Sequence, residues 1–152
     1  MYKIRKAKIG DVSKIHKLVN YYAEKRIMLP RSLSELYERL QDFFVVEFNG
    51  NEIVGCCALG IVWDNLAEIK SLAVMKKHTN KGLGKKLVYR CQNEAKKLGI
   101  KKIFVLTYIP KFFIKLGFKK ISKDDLPHKI WSECIQCPFF PDCKEEPLLK
   151  TL

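Results

Sequence analysis

Residues Ala67–Leu87 read AEIKSLAVMKKHTNKGLGKKL, and the fold follows from how they are parsed. Ala67–Val74 is small, apolar and β-branched in character, the composition of a short buried strand. A basic loop follows. From Leu83 the apolar residues recur at helical spacing, through Leu87, Val88, Cys91, Ala95 and Leu98, and Gly99 is well placed to end the helix. A strand, a glycine-containing turn and a helix N-terminus make a common phosphate-binding arrangement. The helix end exposes unpaired N–H groups and carries partial positive charge. Gly82 and Gly84 present no Cβ to an approaching anion. The stretch predicts a pyrophosphate site.

Upstream, Phe44–Phe48 and Ile53–Trp63 are rich in β-branched, aromatic and small residues. Asn49-Gly50 between them is a strong hairpin signal, and Asp64-Asn65 marks a second turn, so three antiparallel strands are expected in succession. Before them, Lys3–Ala7 alternates as a first strand. Asp11 is placed to cap a helix carrying Val12, Ile15, Leu18, Val19 and Tyr22. Ser32 and Glu35 have capping-box spacing ahead of a second helix, with Leu33, Leu36, Tyr37 and Leu40 on one side. Downstream, Ile103–Leu106 is a short strand, Pro110 begins a short helix around Phe112, Phe113 and Leu116, and Phe118–Ile121 reads as the last strand. The order β-α-α-β-β-β-α-β-α-β predicts an α/β domain over residues 1–121, its sheet mixed but largely antiparallel with flanking helices. Residues 122–152 are expected to form a cysteine-containing tail packed on the same domain.

At 152 residues, with 47% hydrophobic and 30% charged residues, the chain is sized and composed for one folded domain rather than a disordered segment. No run approaches membrane-spanning length and MYKIRKAKIGDV has no apolar signal core, so a cytoplasmic location away from membranes is the default expectation. The formal net charge is +13. Such a surface attracts nucleic acid, phosphorylated cofactors or small acidic substrates, or is simply a lysine-rich solvated face. The lysines are scattered and no nucleic-acid-binding signature accompanies them, which argues against a nucleic-acid partner.

Cys56, Cys57 and Cys91 lie in apolar patterns and read as small core residues. Cys134-x2-Cys137-x5-Cys143 is different. The spacing suggests thiolate ligation of zinc or an iron centre, with His128 as a fourth ligand. The other reading has the tail pack through Trp131, Phe139 and Phe140, with the thiols free or in a disulfide. Both stay open.

Two motifs in this element order resemble the GNAT superfamily of acetyl-CoA-dependent N-acyltransferases, over roughly Ile4–Ile121. Leu72-Ala73-Val74 ends the strand, and Thr79-Asn80-Lys81-Gly82-Leu83-Gly84 stands where the family has Gln/Arg-x-x-Gly-x-Gly/Ala. Phe112-Phe113-Ile114-Lys115-Leu116-Gly117-Phe118 is similar to the family's F-Y-x-x-x-G-F. The resemblance implies acetyl-CoA as co-substrate, its pantetheine arm held by the backbone of Leu72, Ala73 and Val74. It implies a pyrophosphate cradle in the amides of Thr79, Asn80, Lys81, Gly82, Leu83, Gly84 and Lys85. Thr79 replaces the usual Gln or Arg, and Asn80 a common Gly.

Acyl transfer to an amine needs the neutral amine, because an ammonium has no lone pair. A carboxylate can remove that proton directly or through water. Glu68 is the candidate base, since enzymes of this superfamily often carry theirs on this strand; the alternative is a glutamate facing solvent or paired with Lys70. The leaving thiolate needs a proton too. Many relatives place a tyrosine where this chain has Phe113, and the nearest hydroxyl in sequence is Tyr108, so no acid is assigned.

Leu29–Leu36, Ala67–Val74 and Leu126–Cys134 look like the short stand-alone amino-acid N-acetyltransferases, similar to the acetyltransferase part of N-acetylglutamate synthase, which starts arginine biosynthesis. The implied acceptor is L-glutamate. Its two carboxylates call for at least two cationic groups, and Arg5, Arg31 and Lys70 are the candidates. Other acceptors, a protein or a small amine, remain possible on sequence, as does a non-catalytic acetyl-CoA or nucleic-acid binding module. A homodimer is compatible with the sequence but not required by it.

Overall fold

The computed structural model describes residues 1–126 and 145–152. Seven strands form one sheet: β1 (Tyr2–Lys6), β2 (Phe43–Phe48), β3 (Glu52–Trp63), β4 (Leu66–Val74), β5 (Lys102–Thr107), β6 (Lys119–Lys120) and β7 (Glu146–Thr151), in the spatial order β1-β2-β3-β4-β5-β7-β6. The helices are α1 (Val12–Glu24), α2 (Leu33–Glu38), α3 (Leu83–Lys97) and α4 (Pro110–Lys115). β1 to β4 pair antiparallel in succession, and β5 joins β4 in parallel after the α3 crossover. The mixed, largely antiparallel α/β architecture is as the sequence predicts. At the β2–β3 hairpin, Asn49 and Gly50 both adopt left-handed backbone, φ 53° and 79°, which matches the twist of the flanking strands.

Both faces of the sheet are covered. On one, Leu83, Leu87, Val88 and Cys91 of α3 pack with Leu59, Ala67, Ile69 and Phe113. On the other, Val12, Ile15 and Val19 of α1 and Leu36 of α2 meet Val45, Ile53, Cys56 and Ala58. Burial on two sides explains why β3 reads as a nearly continuous apolar run rather than an alternating one. The three cysteines expected in the core are buried and free.

Several details differ from expectation. Ser32 and Glu35 form the reciprocal cap of α2, but Leu33 and Tyr37 are exposed and Leu36 alone of the helix is buried. Asp11 precedes α1 without capping it. Its carboxylate accepts the Lys8 amide at 2.8 Å and the Arg5 guanidinium at 2.7 and 3.1 Å, while Arg5 also donates to Glu47. The cluster ties β1 and β2 to the start of α1. Burial disfavours the charged Asp11 carboxylate, but the hydrogen bonds from Arg5 and Lys8 outweigh it and hold its pKa below the ordinary value. Asp11→Ala should therefore lower unfolding stability by about 2 kcal/mol near neutral pH. The folded-state pKa is depressed, so the contribution is present above the unfolded value and fades as pH falls through the folded one. Urea titrations of both proteins should converge at acid pH.

The last strand is the main correction. Phe118–Ile121 contributes only Lys119–Lys120, and Glu146–Thr151 inserts antiparallel between β5 and β6, with Leu148 fully buried. The sheet is thus completed by residues placed in the tail. Pro147 hid the strand, because a proline and two adjacent leucines do not read as alternation. Lys150 of β7 donates to the Leu116 carbonyl at 2.7 Å and to Gln92 Oε1 at 3.2 Å, fastening it to the end of α4 and to α3. His128, Cys134, Cys137 and Cys143 lie outside the described residues. Among those described, no group of three or more His, Cys, Asp or Glu could hold a metal.

Candidate active site

β4 and β5 pair from Leu66↔Lys102 to Ile69↔Val105 and then separate. The cause is a bulge. Between β3 partners Cys56 and Ala58, two steps apart, β4 runs from Ala73 to Lys70, three steps, and Ser71 takes the extra residue with φ 56°. A bulge bends its strand, and here β4 turns away from β5. Two side chains hold the bent segment. Burial pushes the Cys56 thiol up to about 12, so it stays protonated and donates to the Ser71 carbonyl at 3.3 Å. The Tyr22 hydroxyl of α1 donates to the Val74 carbonyl at 2.5 Å. Between the diverging strands lies a cavity of about 530 Å³, running from the α1–α2 connection to the N-terminus of α3.

At the α3 end, the first intrahelical bond of this turn is Lys86 N–H to the Gly82 carbonyl at 3.1 Å, so the N–H groups before it lack acceptors in the helix. Gly82, with φ 76°, precedes α3 and has open space where a Cβ would stand. Asn80 adopts φ 62°, which explains its place at a position where glycine is common: asparagine tolerates this conformation better than other side chains. The Thr79 hydroxyl is spent on the Lys76 carbonyl at 2.9 Å. At Gly84 a Cβ would lie 3.3 Å from the Phe112 ring, so the missing side chain also makes room for α4. Leu72, Ala73, Val74, Thr79, Asn80, Gly82, Leu83, Gly84 and Lys85 all line the cavity; Lys81 does not. Bare amides beside an open, Cβ-free position suit a diphosphate.

Glu68, Lys70 and Arg31 also line the cavity. Glu68 is 7% exposed and pairs across the sheet with Gly60. The Lys70 side chain crosses over Gly60, where a Cβ would lie 3.0 Å from its Cε and 3.3 Å from its Nζ. The missing Cβ lets an ammonium lie over the strand position opposite the carboxylate. Arg31 is held through its backbone by Asn20 of α1, which donates to the Arg31 carbonyl at 3.0 Å and accepts its N–H at 3.2 Å. Its guanidinium meets Glu35 at 3.3 Å. Arg5 is the exception. It does not line the cavity, because its guanidinium is committed to Asp11 and Glu47.

Phe113 lines the cavity with an apolar ring, edge-on to Phe112 and Phe118. Thr107 and Tyr108, where β5 leads into α4, bring hydroxyl groups to the same cavity. Thr107 is buried at the end of β5 and accepts the Ile109 N–H at 2.9 Å, so as a donor it has no partner among the described residues. Sequence reasoning passed over Thr107, Asn20, Gly60 and the Ser71 bulge. Only Thr107 left a signal, a hydroxyl residue where a strand turns into a helix.

A split sheet facing a helix N-terminus defines the class: a transferase that seats a nucleotide-linked thioester between two strands. Known proteins share the arrangement. Residues 11–118 match the acetyltransferase (GNAT) family, and the chain belongs to it. It is an acetyl-CoA-dependent N-acetyltransferase. It is 40% identical over 149 residues to an uncharacterized N-acetyltransferase of Chlorobaculum tepidum, covering 98% of this chain and 96% of that protein. To an amino-acid acetyltransferase of Mycobacterium tuberculosis it is 36% identical over 132 residues, 86% of this chain and 75% of that protein. N-acetylglutamate synthase of Neisseria gonorrhoeae, solved with coenzyme A and N-acetyl-glutamate, superposes with a TM-score of 0.91 at 28% identity. This chain spans 35% of the length of that synthase. No described helix is long and apolar enough to cross a membrane.

Proposed function

We propose that the chain acetylates the α-amine of an amino acid, with L-glutamate as acceptor. The observation that carries this reading is that Arg31, Lys70 and Glu68 all line one cleft. An amino acid with an acidic side chain offers two carboxylates and an amine, and these three side chains complement them. The amino-acid acetyltransferases and the synthase among the relatives support the same choice.

When bound, acetyl-CoA supplies the acetyl thioester. Arg31 and Lys70 hold the two carboxylates, Arg31 leaving Glu35 or sharing it, and this turns the amine toward β4. Glu68 takes the proton that frees the nitrogen lone pair. The Thr107 hydroxyl accepts from Ile109 and keeps its proton free to hydrogen-bond the departing sulfur, whose own proton comes from solvent or from the amine. The backbone of β4 beyond the bulge, from Leu72 to Val74, holds the pantetheine arm, and the amides from Asn80 to Lys85 hold the diphosphate, the Thr79 N–H being engaged with the Lys76 carbonyl at 3.4 Å.

The test is a thiol-release assay across amino-acid, peptide and polyamine acceptors. Glutamate should give the highest kcat/KM, and Arg31→Leu should raise its KM about tenfold or more with little change in the KM for acetyl-CoA. Equal turnover of glutamate and neutral amino acids would overturn the acceptor assignment.

A further inference from the structure

His78 lies between β4 and α3, immediately before the loop of bare amides. It closes the 3-10 turn Lys76–His78, is 8% exposed and lines the cleft beside Thr79, Asn80 and Gly82. Its ring is gripped from behind. Tyr2 and Phe48, cross-strand partners on β1 and β2, pack against it with centroids 5.6 and 4.8 Å away, and the Tyr2 hydroxyl is 2.8 Å from Nδ1. The other ring nitrogen, Nε2, has no hydrogen-bond partner among the described residues.

Packing alone does not ask for these nitrogens, since a phenylalanine would fill the same space. Two tautomers satisfy Tyr2. If Nδ1 carried the proton, Nε2 would offer only a lone pair and could not donate to an anion. If Tyr2 donates to Nδ1, the proton sits on Nε2 and the ring adds one more donor to the set. We propose that His78 is a cofactor-binding residue whose Nε2–H donates to the diphosphate of acetyl-CoA, and that Tyr2 is the positioning residue that fixes this tautomer. The proposal rests on acetyl-CoA occupying the cleft as described above. It links the first strand of the sheet to the cofactor loop, two parts of the chain 76 positions apart.

Calorimetric titration of the full chain with CoA tests it. His78→Phe keeps the ring and removes both nitrogens, and it should bind CoA about tenfold more weakly, the size expected for one hydrogen bond to a charged group. His78→Gln, which restores a donor, should recover much of the loss. With S-acetylpantetheine, which has no diphosphate, kcat/KM should be the same for wild type and His78→Phe. An unchanged CoA affinity overturns the proposal, and so does an equal loss with both thioesters, which would mean packing. If the phenylalanine variant does not fold, 15N NMR of the wild-type ring decides instead: a proton on Nε2 in the CoA complex is expected, and a proton on Nδ1 alone overturns it. Failure of wild type to bind CoA at all would sink the cleft assignment itself, a distinguishable result.

Discussion

Glu68→Gln is expected to lower kcat by about two orders of magnitude or more while acetyl-CoA binds as before. The substitution keeps the shape of the side chain and its place on β4, and removes only the capacity to take a proton. Glu68 lies on β4 ahead of the bulge, apart in sequence from the loop amides before α3, so the binding of the nucleotide has no reason to change. An acceptor amine that arrives charged then waits on bulk water for deprotonation, and the loss should shrink as pH rises toward the pKa of the amine. Rate profiles of both proteins from neutral to alkaline pH, with CoA affinity measured in parallel, check this. A variant with wild-type kcat would remove Glu68 from the mechanism and leave it a buried strand residue.

Gly82→Val should weaken acetyl-CoA binding by about tenfold to a hundredfold. Gly82 sits at φ 76°, where a β-branched residue is strained by about 1–3 kcal/mol, and the loop can relieve that only by turning its amides. The added Cβ would stand in open space, with nothing within 4 Å, so the cost is in the backbone and not in a clash. Gly84→Ala makes a useful contrast. Its Cβ would press on the Phe112 ring, so the effect should appear in thermal stability more than in affinity. Calorimetry and melting curves on the two variants separate the roles. If Gly82→Val binds CoA like wild type, the amide cradle is not where the diphosphate sits.

Much of this was legible in the sequence because the signals were local. The Asn49-Gly50 turn, the Ser32/Glu35 cap and the Gly82 turn each reside in a few adjacent residues and form as read; the apolar face of α3 does so from Leu83 to Ala95, while Leu98 is the exposed C-cap. What stayed hidden depends on distant partners. Arg5 looked like a substrate clamp because nothing nearby in sequence announces that Glu47, 42 positions on, will claim it. The β4 bulge cannot be read from β4, since it exists only in the count of residues against β3. Gly60 carries no signal of its own, because its role is the space it leaves for the Lys70 side chain of the neighbouring strand. Asn80, which looked like a weakening departure, is a conformational substitute for glycine.

The position of β7 has a consequence for biosynthesis. β5 forms one wall of the cleft, and among the described residues its outer edge is covered by residues 146–151. On the ribosome β1 to β5 emerge before β7, so the wall carrying Thr107 stays an open edge until those residues have been made. A messenger cut short before Glu146 yields a sheet with a bare, apolar border. The late strand couples completion of the cleft wall to synthesis well beyond the residues that line it.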